Sequence, residues 1–167
     1  NNIKEIEIPD GVKEGLENLK KMGFLTIVVT NQPDVARKKT TKKNVTNINN
    51  YLKNRLKLDH FICCFHDDID ECNCRKPKQK FMDYAINQFG LDTSTSFMVG
   101  DSEGDMEFGK EGGCKTIQIA GGQAISVYTD YKCKNLIEAC EIILSIIVES
   151  NPFEPELLLL LLLLLEK

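Results

Sequence analysis

Residues 96–113 read SFMVGDSEGDMEFGKEGG. The first five are an apolar run with strand character, and they lead straight into Asp101. From residue 106 the pattern turns helical. An apolar run that ends on carboxylates and hands over to a helix is the signature of a strand–crossover unit in a parallel sheet.

The same rhythm extends in both directions. Pro9-Asp10-Gly11 is turn chemistry; Val12, Leu16, Leu19 and Met22 then recur at helical spacing, and Gly23 stands where a helix ends. Residues 24–29 (FLTIVV) read as a strand buried on both faces, stopped by Thr30-Asn31-Gln32-Pro33. Residues 40–56 predict a helix with Val45, Ile48, Tyr51 and Leu52 on one face, and residues 60–65 (HFICCF) another buried strand. A polar, Cys-bearing loop follows, then a helix over 80–89 closed by Gly90. Residues 115–119 (KTIQI) are the last clear strand and 136–148 the last helix. Strands alternating with helices predict an α/β fold, a Rossmann-like parallel sheet flanked by helices. No internal repeat and no linker precedes residue 149.

Composition narrows the function classes. A chain of 167 residues supports one globular domain, or one domain with a tail, and can bury a core without disulfides. With 21 Lys+Arg against 25 Asp+Glu, interspersed, it lacks the basic footprint of a nucleic-acid binder. The N-terminus has no positive region followed by an apolar core, so it does not read as a signal peptide. Seven cysteines, four of them between positions 63 and 74, do not resemble a secreted disulfide scaffold. These features predict a reducing, cytoplasmic setting.

Residues 157–165 are nine consecutive leucines. As a helix they would span about 13.5 Å at about 1.5 Å per residue, far short of a hydrocarbon core of about 30 Å. The segment ESNPFEPE, with two prolines and three acids, separates them from the preceding apolar stretch, so no membrane span is predicted. Residues 150–167 therefore read as a tail or an artefact and receive no functional weight.

In an open parallel sheet, ligands bind outside the carboxyl ends of the strands. Thr30, Asn31 and Gln32 follow the first strand. Arg75, Lys76 and Pro77 follow the second, beyond the Cys/His loop. Asp101, Ser102, Glu103, Gly104 and Asp105 follow the third. Cations and hydroxyls suit phosphate oxygens, and carboxylates suit Mg²⁺. The constellation predicts a small-molecule phosphate ester together with Mg²⁺.

Cys64-x-His66 and Cys72-x-Cys74 supply four N/S ligands. Spacing of two puts each pair on one side of an extended backbone. A closed set of four describes a structural tetrahedral Zn²⁺ site. The alternative, cysteines packed as small apolar side chains, suits Cys63, Cys114, Cys133 and Cys140, but not Cys72 and Cys74 among Asp, Glu, Asn and Arg. Zinc would pin the loop that delivers Arg75 and Lys76 and would do no chemistry.

Three segments in order, TNQPDVAR (residues 30–37), CFHDDIDECNCRKPK (64–78) and MVGDSEGDMEFGKEGG (98–113), resemble motifs of the haloacid dehalogenase superfamily of phosphohydrolases. The likeness covers about residues 9–120. It is closest to the branch holding D-glycero-D-manno-heptose 1,7-bisphosphate 7-phosphatases and histidinol-phosphate phosphatases. The resemblance implies one haloacid dehalogenase-like domain over residues 1–149 without a large cap domain. It also implies hydrolysis of a sugar phosphate through an aspartyl-phosphate. Thr30 and Lys76 would hold the phosphoryl oxygens, Asn31 and Arg75 would orient the substrate, and Asp101 would ligate Mg²⁺ with Asp105 nearby, either behind the metal ligand or as an auxiliary carboxylate. Histidinol phosphate is the alternative substrate. A non-catalytic phosphate-binding module and a zinc-loop interaction module are the alternative functions.

Two departures stand out. The branch's first motif, an Asp-x-Asp ending the first strand, has no counterpart here, since residues 1–8 contain no Asp and Asp10 lies in a turn. Nucleophile and general acid are thus absent, and a truncated N-terminus is the expected cause. The missing strand would lie between those read at 24–29 and 96–100, leaving two unpaired edges in mid-sheet. The second departure is Lys38, which follows Arg37 where the branch has Gly.

Overall fold

The structure, a computed structural model, describes residue 3 and residues 6–122, 124–150 and 159–162. Its elements are α1 (Val12–Lys21), β1 (Leu25–Asn31), α2 (Pro33–Ala36), α3 (Lys42–Leu56), β2 (His60–Cys64), α4 (Lys80–Phe89), β3 (Phe97–Gly100), α5 (Glu103–Glu111), β4 (Lys115–Ile119), β5 (Tyr131–Cys133), α6 (Leu136–Ser150) and β6 (Leu159–Leu162). The strands form one parallel sheet in the order β2-β1-β6-β3-β4-β5. The fold is the α/β architecture expected, a parallel sheet flanked by helices.

Register explains how the core divides. Val28 and Val99 both pair with Leu162, and Val99 also pairs with Ile117. Side chains in one register row share a face. Val28, Val99 and Ile117 accordingly enter one core with Leu16 and Leu19 of α1, Leu52 of α3 and Ile143 of α6. Their neighbours Ile27, Val29 and Met98 enter the other, with Met82 of α4 and Met106 and Phe108 of α5. Both faces are thus covered, as the unbroken apolar strands require. Helix α5 lies directly on the sheet because Gly109 has no Cβ; one built there would stand 2.3 Å from Met98 Cβ.

The helix ends follow local chemistry. The Thr41 hydroxyl accepts the Asn44 N–H at 3.1 Å, so α3 starts just inside the expected 40–56. Ser102 caps α5 and Asp105 reaches back to the Ser102 N–H, which moves that helix's start from the expected 106 to Glu103. At the amino ends of the strands, Asp59 accepts the Thr26 N–H at 2.8 Å, the Thr26 hydroxyl at 2.6 Å and Lys20 at 2.7 Å. Asp130 repeats the arrangement on Thr116 and Lys110.

Two strands were not expected. The three-residue β5 is too short to show a period. The leucine run, read as a tail, contributes Leu159–Leu162 as a strand in mid-sheet. It pairs with Leu25–Val28 on one side and Phe97–Val99 on the other, the gap in which two unpaired edges were expected. Its backbone supplies the ladder partners those inner edges lack. Among the described residues, no helix is long and apolar enough to cross a membrane.

Candidate functional site

The carboxyl ends of the strands gather the expected side chains along one edge. Thr30 and Asp101 each lie two residues beyond a partner of Leu162, Val28 and Val99 respectively. With one strand between them, their backbones are about 10 Å apart at about 4.8 Å per strand. The Thr30 hydroxyl is buried and accepts Gln32 Nε2 at 2.9 Å, which leaves its own proton for another acceptor. Asp101 is half-buried, and its carboxylate has no hydrogen-bond partner among the described residues.

Lys76 joins the other two segments. Its ammonium donates to the Val29 carbonyl at 2.7 Å and lies 2.8 Å from Asp105 Oδ1; the two side chains are 2% and 4% exposed. The Lys76 backbone is stitched to Asn31, whose Oδ1 accepts the Lys76 N–H at 3.1 Å and whose Nδ2 donates to the Lys76 carbonyl at 3.3 Å. Asn31, expected at the substrate, thus also ties the end of β1 to the Lys76 backbone with one of its two amide N–H groups. Of the two places expected for Asp105, it takes the one behind the metal ligand: Oδ1 faces Lys76 and Oδ2 accepts the Ser102 N–H at 3.1 Å. Gly100 makes room for it, since a Cβ there would stand 2.5 Å from Asp105 Cβ. A pair this buried needs both partners, because either charge alone would be stranded in low dielectric. The carboxylate left for a hard cation is Asp101, whose unpartnered oxygens fit Mg²⁺.

The Cys/His loop closes as its spacing suggests. One ligand atom from each of Cys64, His66, Cys72 and Cys74 lies within 4.8 Å of all the others. Cys74 Sγ stands 3.4 Å from Cys64 Sγ, 3.6 Å from Cys72 Sγ and 3.3 Å from His66 Nδ1; Cys64 Sγ stands 3.7 Å from Cys72 Sγ and 3.6 Å from His66 Nδ1. A tetrahedral Zn²⁺ with Zn–S of about 2.3 Å and Zn–N of about 2.0 Å needs S–S edges of about 3.8 Å and S–N edges of about 3.5 Å. The free side chains already sit close to those edges, and all seven cysteines are unbridged. Burial pushes the Cys64 thiol up to about 12. Cys72 is lowered despite its burial, by the backbone N–H groups of Cys74 and Arg75. Lys78 Nζ donates to the Cys72 carbonyl at 2.5 Å, tying the ligand loop to the segment that carries Arg75 and Lys76.

Arg75 Nε lies 2.6 Å from Asp68 Oδ1, and Arg37 holds Asp67 through Nε at 2.7 Å and Nη2 at 2.6 Å. Reading the sequence missed these pairings. The signal was available as two adjacent acids, Asp67 and Asp68, set between motifs that each carry an arginine. Lys38 adopts φ 59°, the left-handed backbone that a Gly after Arg37 would favour, so the loop keeps that conformation without the glycine.

Known proteins share this fold. A family model described as HAD-hydrolase-like matches residues 73–133, the stretch from the second Cys pair through β5. A crystal structure of a D,D-heptose 1,7-bisphosphate phosphatase from B. bronchiseptica, complexed with magnesium and phosphate, superposes with a TM-score of 0.75. It is 22% identical, and the match covers 86% of this chain and 87% of that one. Fold and matched motifs define the class, a haloacid dehalogenase-like hydrolase. A D-glycero-beta-D-manno-heptose-1,7-bisphosphate 7-phosphatase of Pasteurella multocida is 33% identical over 136 residues, covering 74% of each chain. One from Helicobacter pylori is 29% identical over 142 residues, covering 81% of this chain and 82% of its own. The chain belongs to the family of D-glycero-beta-D-manno-heptose-1,7-bisphosphate 7-phosphatases.

Proposed function

We propose that this edge binds the phosphate of a sugar phosphate, D-glycero-β-D-manno-heptose 1,7-bisphosphate first among candidates, for Mg²⁺-dependent hydrolysis in a reducing, cytoplasmic setting. The observation that carries the reading is the knot at Lys76. One residue, following β2 and its loop, is tied by its backbone to the end of β1 and by its ammonium to Val29 of β1 and to Asp105 in the first turn of α5, after β3, so three strand ends share one edge. Thr30 donates its hydroxyl to a phosphoryl oxygen. Lys76 sets positive charge beneath the same group, held in place by Asp105 and the Val29 carbonyl. Asp101 holds Mg²⁺, which neutralises charge on the phosphoryl oxygens. Cys64, His66, Cys72 and Cys74 hold a structural Zn²⁺ that fixes the approach of Arg75, whose guanidinium orients the rest of the substrate. The attacking carboxylate and the general acid are assigned to no residue of this sequence.

Histidinol phosphate shares the phosphate and differs in what Arg75 meets. The relatives' names favour the heptose bisphosphate. A phosphate-release assay run beside isothermal titration, each with both esters, tests the reading. Tighter binding of the heptose bisphosphate supports it, with or without turnover by this sequence; release with neither binding preference nor Mg²⁺ dependence opposes it. Binding without turnover in a chain that carries an Asp-x-Asp would favour the non-catalytic module.

A further inference from the structure

The Cys/His loop carries four acids in five residues, Asp67, Asp68, Asp70 and Glu71, beside a site read as binding an anion. Phosphate chemistry uses none of them. Their pairing shows what two of them do. Asp67 takes both prongs of Arg37, the residue that ends α2. Asp67 also accepts the Asp68 N–H at 2.8 Å, and its own N–H is taken by Asp70 at 2.7 Å, closing a short 3₁₀ turn over Asp68–Asp70. That turn sets Asp68 between two arginines. Its Oδ1 lies 2.6 Å from Arg75 Nε and its Oδ2 lies 3.7 Å from Arg37 Nη2. The result is an alternating bracket, Arg37, then Asp67 and Asp68, then Arg75, running from the first strand end to the segment that ends in Lys76.

The bracket leaves a donor unspent. Arg75 Nη1 is buried and has no hydrogen-bond partner among the described residues. Buried guanidinium N–H groups are rarely left so, because desolvation without an acceptor is unfavourable. Arg75 lines a pocket of about 190 Å³ together with Asp68, Glu71, Lys76 and Lys78. Holding the guanidinium through Nε fixes its plane while keeping Nη1 unused, so the rotamer freedom a ligand would otherwise have to freeze is already lost.

We propose that Arg37 and Asp68 are positioning residues: they hold Arg75 so that its free Nη1–H meets an oxygen of the substrate's distal anionic group, away from the phosphate at Thr30. This rests on the reading above that Arg75 orients the substrate. Asp68 is well exposed, 67% at its side chain, and exposed ion pairs add little to fold stability. Its loss therefore registers in ligand binding rather than in melting temperature, whereas Arg37 also grips Asp67, which is 15% exposed.

Isothermal titration of the zinc-loaded protein with two probes separates the possibilities. Inorganic phosphate fills only the phosphoryl position, and D-glycero-β-D-manno-heptose 1,7-bisphosphate adds a distal phosphate. Asp68→Asn and Arg37→Gln are expected to weaken the bisphosphate about tenfold, leave inorganic phosphate within about twofold and leave zinc content unchanged, and Asp68→Asn to leave the melting temperature unchanged as well. Asp68→Glu should restore part of the affinity, and Asp68→Asn combined with Arg75→Ala should bind no worse than Arg75→Ala alone. Full additivity of the double variant, or equal weakening of both probes, overturns the bracket while leaving Arg75 as a ligand group. Arg75→Ala that binds the bisphosphate like wild type removes the reading on which the bracket rests. A wild-type protein that binds neither probe removes the phosphate site itself.

Discussion

Replacing Lys76 with Met probes the knot that holds the edge together. The methionine keeps most of the side chain's volume and removes the ammonium. Asp105 then retains only the Ser102 N–H, in a position 4% exposed, and the Val29 carbonyl loses its 2.7 Å donor. Removing one member of a buried ion pair costs about 3–5 kcal/mol, because the remaining charge has neither water nor partner. Against a total stability of about 5–15 kcal/mol this is a large fraction. With a urea dependence of about 2 kcal/mol per molar, the unfolding midpoint should fall by about 2 M. Asp105→Asn can still accept the Ser102 N–H and strands no charge once Lys76 is gone. The double variant Lys76→Met, Asp105→Asn should therefore be more stable than the sum of the single losses implies, by about 2 kcal/mol or more. Urea unfolding followed by circular dichroism, with zinc present throughout, measures all four proteins. A Lys76→Met midpoint within about 0.3 M of wild type, or strict additivity in the double variant, would refute the reasoning.

Other consequences follow from single contacts. Burial raises the Asp59 carboxyl, but Lys20 and the two Thr26 bonds outweigh it and hold the group below its ordinary value of 3.8. A depressed carboxylate stabilises the fold above that value and loses its contribution as pH falls through the folded one, so the acid loss below about pH 4 should be shallower in Asp59→Asn than in wild type, read by thermal melts from pH 6 to pH 2. Zinc should bind at one ion per chain and release protons, with affinity rising with pH because the Cys64 thiol is held up at about 12 when free; chelation should expose the loop at 64–78 to proteolysis while the sheet persists, checked by elemental analysis and limited digestion. Lys38→Gly should leave stability unchanged or raise it by up to about 1 kcal/mol in the same melts, since the residue already sits at φ 59° and glycine removes the Cβ strain at the expense of a floppier unfolded chain.

The parts of this molecule that announce themselves are those in which a residue's chemistry matches its immediate neighbours. Leu16 and Leu19 mark their helix face and the paired Cys/His spacing its cluster, because each depends on contacts only a few positions away. The contacts that escaped are long-range or context-bound. Which of its two expected places Asp105 takes is decided by Lys76, 29 positions upstream, which holds one of its oxygens. The hold of the Asn31 amide on the Lys76 backbone, 45 positions away, leaves no trace in the local sequence. The leucine run carries no period at all, so nothing in its text distinguishes a tail from the strand that Leu159–Leu162 forms; only the empty ladder positions of β1 and β3 do. Asp67 and Asp68 read as solvated charge until the arginines on either side close on them.

The most direct test of the phosphate site is titration of inorganic phosphate into the zinc-loaded protein with Mg²⁺ present, wild type beside Asp101→Asn. Asp101 is half-buried and holds no other described residue, so its change should not disturb the fold. Loss of one charged metal contact, at about 1.5–3 kcal/mol, predicts saturable one-to-one binding that weakens at least tenfold in the variant and loses its dependence on Mg²⁺. Phosphate that does not bind, or that binds both proteins equally with and without Mg²⁺, would contradict the account.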